Sequence, residues 1–451
     1  MAPSPPFGWP AAYVNQEGLS LRLTPPVIEN SIVMLRLTLA LDSRRTHTIR
    51  VDAAHSGEAV EMIVDQGGML QPFEVAIPIH WMHGTDKIEL KLSCDAETPP
   101  AILLTGDPVP AAMRPHLRIS APAGNEDTVE AMWHTLESFN SLQPFGWCEG
   151  CVLDALADRV EAGQSEPEFL RERLSYYFKS SGEIVYWDHL SRKRENAFYG
   201  IEAAHPFAAL CRVWPEHPAI PRIADFLLNH RGPGEVIADR CKITSEGFLV
   251  VAYVLALAGY TGDREDWIEE AENQAKLRIK ALLRDGSICQ RIDAEGIRQG
   301  ELWARGVGWF MLGLARLIPI LKKAGRPTVC FEDAYTAAAD IALRYQREDG
   351  LWNCFLDDPD SGAETSGSSG IATALALDPC GSGLPETLTR TAASLRAQLT
   401  TDGCLSGISQ LNKGGEALQR GGYRVLAHFG TGLCGQFFQA WTESTADSPQ
   451  P

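Results

Sequence analysis

The sequence predicts a mainly α-helical protein, an (α/α)6 barrel of six helical hairpins preceded by an antiparallel β-sandwich domain. Three observations predict this fold. Short alternating or β-branched runs dominate residues 1 to about 120. Amphipathic stretches of helical length then follow one another to about residue 442, and a glycine turn recurs among them. We therefore expect a β-sandwich accessory domain at residues 1–122 and a catalytic barrel at residues 123–451.

The amino-terminal domain is predicted to be all-β. Its runs are separated by Gly, Pro, Asp and Ser clusters at regular spacing, which is typical of an antiparallel sandwich. The runs are residues 19–23, 32–39, 48–51, 60–64, 73–77 and 87–92. No catalytic constellation is found in them, so we expect an accessory domain or an assembly surface. Residues 120–127, rich in Pro, Ala and Gly, are predicted to be the linker.

The helical part contains a recurring glycine turn. The glycines are Gly182, Gly234, Gly286, Gly350 and Gly403, at intervals of 52, 52, 64 and 53 residues. Each interval has room for two helices and two loops, which predicts a helical hairpin. Glycine suits the position just past a helix C-terminus, where a left-handed conformation is needed. One further hairpin closes a ring of six, since the glycine-rich stretch 430–438 is suited to packing on the first helices. An open solenoid is the alternative.

Composition bounds the class of protein. A formal charge of −18 argues against nucleic acid and anionic membranes as partners. The amino terminus lacks the features of a signal peptide, and no run reads as a membrane span. An odd number of scattered cysteines, 11, fits a reducing compartment, so we expect a cytoplasmic location. Cys148-x-x-Cys151 has redox or zinc spacing, but without a second pair nearby we interpret it as a helix-start coincidence.

Polar and aromatic residues follow the glycine turns. In a ring of hairpins the inner helices begin around one cleft, so these residues are expected at its mouth. They occur at 186–189, 239–242, 290–293, 352–358 and 364–366. Carboxyl groups move protons, aromatic faces bind sugar rings, and cations hold a uronate carboxylate. The combination indicates a glycan-cleaving cleft.

Asp239 and Glu202 are the candidate catalytic acids. Asp239 lies between the apolar residues 236–238 and Arg240. Burial raises a carboxyl pKa and a neighbouring arginine lowers it, so the resting state of Asp239 stays open at this point. The alternative for Asp239 is a helix N-cap. For Glu202 it is a first-turn acid that complements the helix dipole.

Residues 301–310, with two tryptophans, one arginine and two glycines, start a predicted helix that continues to residue 317. Trp303 and Trp309 offer flat faces to a sugar ring, and Arg305 offers a planar fork of donors to a carboxylate or to hydroxyls. The alternative is a tightly packed buried helix.

This stretch resembles the W-x-R-(G/A)-x-G-W element of the unsaturated uronyl and rhamnogalacturonyl hydrolases, glycoside hydrolase families 88 and 105. Other segments resemble these families in the same order along the chain, from about residue 125 to about residue 445, and none lies in the β-sandwich. They are residues 146–150, 202–206, 235–239, 349–352, 357–360, 364–366, 421–423 and 430–432.

The resemblance implies a reaction. In these families an aspartate protonates the C4=C5 double bond of a terminal 4,5-unsaturated uronic acid and activates water to add at C5, after which the aglycone is released. Asp239 matches that aspartate and Glu202 the second acid. The implied substrate-binding residues are Trp303, Arg305, Trp309, His205, Arg240, Lys242, Gln290, Trp352, Glu364 and Tyr423. No metal or organic cofactor is implied, the partner is an acidic oligosaccharide, and a homo-oligomer is left open.

The chain also departs from the family pattern. Gln290 stands where a histidine is frequent, Glu202 where aspartate is usual, and Arg240, Cys241 and Lys242 where apolar residues are usual. Arg240, Lys242 and Arg291 either bind an extra anionic group or are solvated surface charges.

Three alternatives remain open from the sequence. The first is a hydrolase of saturated glucuronides or galacturonides on the same barrel. The second is a non-catalytic glycan-binding protein. The third is a sugar epimerase, which needs a pair of cleft histidines. The candidates for that pair, His189, His205 and His428, match the required positions poorly.

Overall fold

The computed structural model describes residues 3–27, 32–54, 56–120, 127–284, 286–383 and 385–446. The predicted linker, residues 120–127, lies outside these ranges except at its two ends, and so does the predicted domain boundary. Asp285, which precedes the third glycine turn, also lies outside them.

The described part of residues 3–120, here called the β region, contains nine strands. All six predicted runs are confirmed as strands, and three short strands were not predicted. The bounds are β1 Ala11–Tyr13, β2 Leu19–Leu23, β3 Ile32–Thr38, β4 Thr46–Ala53, β5 Ala59–Asp65, β6 Pro72–Ile77, β7 Ile88–Ser93, β8 Ala101–Leu103 and β9 His116–Ser120. The missed strands β1 and β8 have only three residues each, too few for a periodic pattern.

The strands of the β region form antiparallel sheets. One sheet has the order β2-β7-β4-β5, a second β6-β3-β9, and β1 pairs with β8. In β4, buried residues such as Ile49 and Val51 alternate with exposed ones, as expected of a strand with one face in a core. This arrangement is compatible with the predicted sandwich.

Thirteen α-helices follow the β region in the part of the chain that the structure describes. Their bounds are α1 Asp127–Leu136, α2 Trp147–Glu161, α3 Pro167–Ser175, α4 Pro206–Val213, α5 Ile220–Asn229, α6 Val254–Thr261, α7 Glu265–Leu282, α8 Ala304–Lys323, α9 Val329–Arg344, α10 Thr365–Leu377, α11 Pro385–Ala397, α12 Gly415–Arg420 and α13 His428–Ala446. A π-helical segment, Phe248–Tyr253, leads directly into α6.

Short strands connect these helices. Their bounds are β10 Val185–Trp187, β11 Lys193–Glu195, β12 Ile243–Thr244, β13 Leu283–Arg284, β14 Ser287–Ile292, β15 Arg298–Glu301, β16 Asn353–Phe355, β17 Asp358–Ala363, β18 Ile408–Ser409 and β19 Arg424–Val425. All of them pair antiparallel. They lie between an outer helix and the next inner helix, so they shape the end of the ring at which the inner helices begin.

Six of the helices form a closed inner ring. Contacts run from α2 to α4, α6, α8, α10 and α13, and α13 packs back on α2. Closure depends on close approach, because a Cβ built on Gly432 of α13 would lie 2.7 Å from the backbone of Cys151 in α2. An open solenoid would keep its first and last inner helices apart, so this alternative is excluded. The arrangement is compatible with the predicted (α/α)6 barrel.

The glycine turns have the predicted backbone conformation but not the predicted position. Gly182, Gly234, Gly286, Gly350 and Gly403 all have positive φ, between 70° and 84°. The turns do not end the outer helices directly, however. Helix α3 ends at Ser175, and Gly182 lies in a tight turn closed by a bridge between Phe178 and Ile184.

One expectation about hydropathy needs correction. Among the described residues, α8 is long and apolar enough by composition to cross a membrane, although no such run was predicted. In the structure 94% of its apolar window is buried. Its neighbours α6, α9 and α10 cover it within the ring, which accounts for its apolar composition.

Candidate active site

Three carboxyl groups lie together where the inner helices begin, an end of the ring here called the mouth. Glu202 is in a short helical turn, Ile201–Ala204, directly before α4. Glu246 precedes the π-helical segment that leads into α6, and Asp239 is in the loop between α5 and β12. The carboxylates of Glu246 and Asp239 both act on Glu202. Burial, and after it these two neighbouring charges, raise the pKa of Glu202 to about 8.

Close backbone packing positions Glu202. Gly146, the N-cap of α2, has a φ of 121°. A Cβ there would lie 2.1 Å from the Tyr199 hydroxyl and 3.1 Å from the Glu202 carbonyl oxygen. The glycine therefore allows the start of α2 to touch the turn that carries Glu202. Among the described residues, the half-buried Glu202 carboxyl has no hydrogen-bond partner, which leaves it available to a substrate.

Glu246 is a site candidate that the sequence analysis missed. Burial raises its pKa. The Gln290 side-chain amide donates to its Oε1 at 2.9 Å, whereas Oε2 is buried without a partner among the described residues. The available signal was an acid followed by Gly247 and a long apolar run, the same place before an inner helix that Glu202 occupies. That signal is weak, because acids are common before helices for dipole reasons alone.

Asp239 supports the turn of Glu202. Its Oδ2 accepts from the backbone N–H of Ile201 at 3.1 Å, and its Oδ1 is 2.6 Å from Nε2 of His230. The side chain is 39% exposed. It caps no helix in its own segment, since the N-cap of the turn Asp239–Cys241 is Ala238 and no side chain caps that turn. Asp239 thus lies in the carboxyl cluster with both oxygens already engaged.

A cavity of about 180 Å³ opens beside Gln290. Trp303 and Phe355 supply apolar walls, and Gln419 supplies a polar one. The Trp303 Nε1 and the Gln419 Oε1 atoms are buried without a partner among the described residues. A donor and an acceptor left unpaired beside an aromatic face suit a sugar ring with its hydroxyls. Neither Glu202 nor Glu246 lines this cavity or the larger ones of about 290 to 650 Å³ that lie elsewhere, but the 180 Å³ cavity includes Gln290, which bonds to Glu246.

Arg305 is buried, and its guanidinium donates hydrogen bonds within the protein. Only 2% of the residue is exposed. Its two terminal nitrogens donate to the carbonyl oxygens of Ser409 and Gln410, at 2.9 and 2.8 Å, and its guanidinium lies 4.6 Å from the Trp303 ring centroid. Arg305 therefore holds the segment around β18 against the mouth, and its terminal nitrogens point to protein carbonyls.

Comparisons with known proteins agree with this architecture. Residues 287–415 match the family Glycosyl Hydrolase Family 88. The chain is 29% identical over 221 residues to the unsaturated rhamnogalacturonyl hydrolase YesR of Bacillus subtilis, and the alignment covers 47% of this chain and 63% of that protein.

Solved structures share the fold. A possible member of family GH105 from Salmonella enterica has a TM-score of 0.60 at 14% identity, covering 76% of this chain and 97% of that one. A family 105 glycoside hydrolase from C. acetobutylicum has a TM-score of 0.59 at 18% identity, covering 70% and 99%. This chain is thus similar in sequence to glycoside hydrolase family 88 over residues 287–415, and it shares the fold of the solved family 105 structures. The resemblance predicted from the sequence is confirmed.

Against this family background, most of the other predicted substrate-binding residues have partners inside the protein. The ring of Trp309 packs edge-on against Trp147 at 5.7 Å between centroids. The Nε2 atom of His205 is 2.9 Å from Oδ2 of Asp154, and His205 Nδ1 has no partner among the described residues. The fully buried Trp352 donates from Nε1 to a backbone carbonyl of α9 at 2.7 Å.

Glu364 and Tyr423 also have internal roles. Glu364 is the N-cap of α10, where it accepts from the backbone N–H groups of Ser366 and Gly367. The Tyr423 hydroxyl donates to the Ile63 carbonyl at 2.9 Å and so connects the ring to the β region. The described contacts of both residues are therefore with other parts of the protein and support the structure around the mouth.

Arg240 and Lys242 lie beside Asp239. Arg240 is exposed with a φ of 50°, and Lys242 is half-buried. Of the predicted substrate-binding residues, Gln290 bonds directly to the carboxyl cluster through Glu246, and Gln290 and Trp303 both line the 180 Å³ cavity.

Proposed function

We propose that this protein is a glycoside hydrolase that releases a terminal 4,5-unsaturated uronic acid from small acidic oligosaccharides. Residues 123–451 are the (α/α)6 barrel that carries the reaction, and residues 1–122 are a β-sandwich. The family match, the relative YesR and the fold of the solved relatives support this assignment. The alignment with YesR spans 63% of that protein, so the activity of this chain needs its own test.

The carboxyl cluster is the observation that carries the proposal. A glutamic acid with a pKa of about 8 is protonated at neutral pH and can act as a general acid. Its neighbour Glu246 is held by an amide donor, which favours the ionised form of that carboxyl relative to an unbonded one. Two interacting carboxyls with different surroundings form an acid/base pair. A protein that only binds glycans has no need of a protonated acid in its cleft.

We assign one step of the reaction to each member of the pair. Glu202 donates its proton to C4 of the double bond, and positive charge develops at C5 and the ring oxygen. Glu246 takes a proton from a water molecule that adds at C5. The resulting hemiketal opens to a ketone, the hemiacetal left at C1 collapses, and the aglycone leaves with a proton on its oxygen. The net reaction consumes one water, and a proton passing from Glu246 to Glu202 restores both groups.

Asp239 takes a different part in this scheme. The sequence analysis placed it first among the acids, and that assignment stays a prediction. Its contacts with His230 and with the backbone of Ile201 support a positioning role for the turn of Glu202. Its negative charge also helps to keep Glu202 protonated.

The test follows the conjugated double bond by its ultraviolet absorbance. One substrate set consists of 4,5-unsaturated uronyl disaccharides, and the other of saturated aryl glucuronides and galacturonides. We expect the absorbance to decay with the first set and no turnover of the second. Turnover of the saturated set alone would replace the proposal with a hydrolase of saturated uronides, and binding without turnover of either set would replace it with a glycan-binding protein.

A further inference from the structure

A loop of the β region reaches the mouth of the ring. This loop, residues 41–45, connects β3 to β4. We propose that Arg44 in this loop binds the carboxylate of the terminal uronic residue and thereby determines the specificity of the site. The inference rests on the proposed function and adds to it a substrate-binding residue from a region that the sequence analysis expected to be accessory.

The loop is tied to the ring at Asp42 and to the rest of the β region at Arg44. The backbone N–H of Asp42 donates to Oγ of Ser191, which follows β10, at 2.7 Å. The Asp42 carboxylate is paired with Lys413, which lies just before α12. The side-chain amide of Gln66 donates to the Arg44 carbonyl at 2.9 Å. Arg44 is therefore held at a defined place against the ring.

The side chain of Arg44 keeps donors available. Its Nε donates to the Asp42 carboxylate at 3.0 Å, and 45% of the side chain is exposed. Among the described residues, its two terminal nitrogens have no hydrogen-bond partner. A guanidinium oriented through Nε with its outer edge free can take a carboxylate in a bidentate manner.

The local charge balance is positive. Asp42 is only 7% exposed and supplies one negative charge against the two positive charges of Arg44 and Lys413. Lys413 is 12% exposed and is engaged with Asp42. The terminal nitrogens of the buried cation Arg305 donate hydrogen bonds to protein carbonyl oxygens. Arg44 is thus the member of this group that can receive an anion from solvent.

Contacts and charges both place Arg44 on the side of the mouth that carries Glu202. Ser191, which accepts from Asp42 of the loop, is two residues from His189 along the chain, and the His189 ring lies 5.0 Å from that of Tyr199 between centroids. A Cβ on Gly146 would contact both the Tyr199 hydroxyl and the Glu202 carbonyl oxygen, so Tyr199 lies against the turn of Glu202.

Burial raises the pKa of Glu202, and the charge of Arg44 is the effect that opposes the rise. Burial lowers the pKa of His189, which follows β10, and the charge of Arg44 adds to that lowering. Arg44 therefore lies on the side of the mouth shared by Glu202 and His189.

Covalent geometry of the substrate explains why the cation belongs there. In an unsaturated uronic acid, C4 and the carboxylate carbon are both attached to C5. An acid that protonates C4 therefore has the carboxylate as its immediate neighbour. A cation beside Glu202 holds that carboxylate and orients the double bond toward the acid. The family match begins at residue 287, so it does not include this loop.

The experiment compares Arg44→Ala with Arg45→Ala, an exposed neighbour in the same loop, and with Arg44→Lys. The substrates are an unsaturated uronyl disaccharide and its uronamide, in which the carboxylate is neutral. We expect Arg44→Ala to raise KM for the acid roughly 10- to 50-fold, as for loss of a charge-assisted hydrogen bond, and to change the uronamide less than about 2-fold. Arg44→Lys should restore part of the loss, and Arg45→Ala should behave like the wild type.

Two results would overturn the inference while the proposed function stands. One is an equal loss on acid and uronamide, which indicates a structural role. The other is a loss that follows a sulfate placed on the second sugar instead of the terminal carboxylate. If the wild type turns over no unsaturated substrate, the proposed function fails, and calorimetric binding of a saturated glucuronyl disaccharide and its amide still decides the role of Arg44. A preference for the acid that Arg44→Ala removes supports it, and an unchanged preference refutes it.

Discussion

The proposed catalytic acids at the mouth of the ring and an acid at its opposite end differ in their surroundings. At the mouth, Glu202 and Glu246 have no ion pair among the described residues, and burial raises the pKa of each. Three turns further along the inner helices, Asp158 is 13% exposed and receives two arginines. Burial raises its pKa, but the charges of Arg316 and Arg212 outweigh burial, and the pKa ends below its ordinary value.

The presence or absence of an ion pair distinguishes a structural carboxyl from the proposed catalytic ones. Asp158 takes a bidentate contact from Arg316 at 3.0 and 2.7 Å, and Arg316 also donates to Oε1 of Gln436 on α13 at 2.6 Å. That network joins three inner helices and stays ionised. A buried carboxyl without a cation destabilises the fold and is retained where its proton is used. The absence of an ion pair at Glu202 among the described residues is therefore informative.

The largest expected effect is on catalysis at the mouth. Glu202→Gln and Glu246→Gln remove the acid and the base without changing shape, and we expect each to lower kcat by about 1,000-fold. The matched control is Glu195→Gln, an acid on β11 that is 61% exposed. Steady-state kinetics on an unsaturated disaccharide measure the effect. A variant of Glu246 with full activity would remove that residue from the proposed pair.

The next effect is on stability at the opposite end. Arg316→Met leaves Asp158 with one arginine in place of two, and we expect a loss of about 3 kcal/mol in the free energy of unfolding. Lys323→Met, on the exposed side of the same helix, should cost less than about 0.5 kcal/mol. Denaturant titration gives both values. Equal stability of the two variants would mean that the network does not hold the ring together.

Asp239 tests how far the mouth depends on supporting contacts. Asp239→Asn weakens the link to His230 and to the Ile201 N–H, and we expect kcat/KM to fall roughly 10- to 50-fold through misplacement of Glu202. The decline of activity at high pH should remain, because Glu202 still titrates. A fall of about 1,000-fold with loss of that decline would instead restore Asp239 as the principal acid, as the sequence predicted.

The features that a sequence can predict are those with a local signature, and contacts between distant segments have none. The six predicted strands of the β region, the left-handed glycines and the closing helix have local signatures, and the structure confirms them, whereas β9, β14 and β17, with five or six residues each, were not predicted. The partners of Arg305 have no local signature in the sequence, because Ser409 and Gln410 lie 104 and 105 residues away along the chain. The burial of Glu246 depends on the packing of several helices, so the local sequence around it does not distinguish it from any other acid that precedes a helix. The approach of Arg44 depends on how the β region docks.

The smallest expected effect is a pH dependence of stability, and it applies to Glu202 alone. Its pKa in the folded protein is about 8, against 4.5 for the free side chain, so the folded state binds more protons between these values. Stability is then fully present below about pH 4.5 and is lost as pH rises through 8.

Glu202→Gln removes this loss because the amide stays neutral. We expect it to raise Tm over the wild type by roughly 2 °C at pH 9, about 1 kcal/mol after allowance for solvent screening, and to change Tm little at pH 5. The control Glu195→Gln should show no such difference between the two pH values. A Tm gain that is equal at pH 5 and pH 9 would show that Glu202 is ionised throughout, and the mouth would then resemble the opposite end of the ring in its electrostatics.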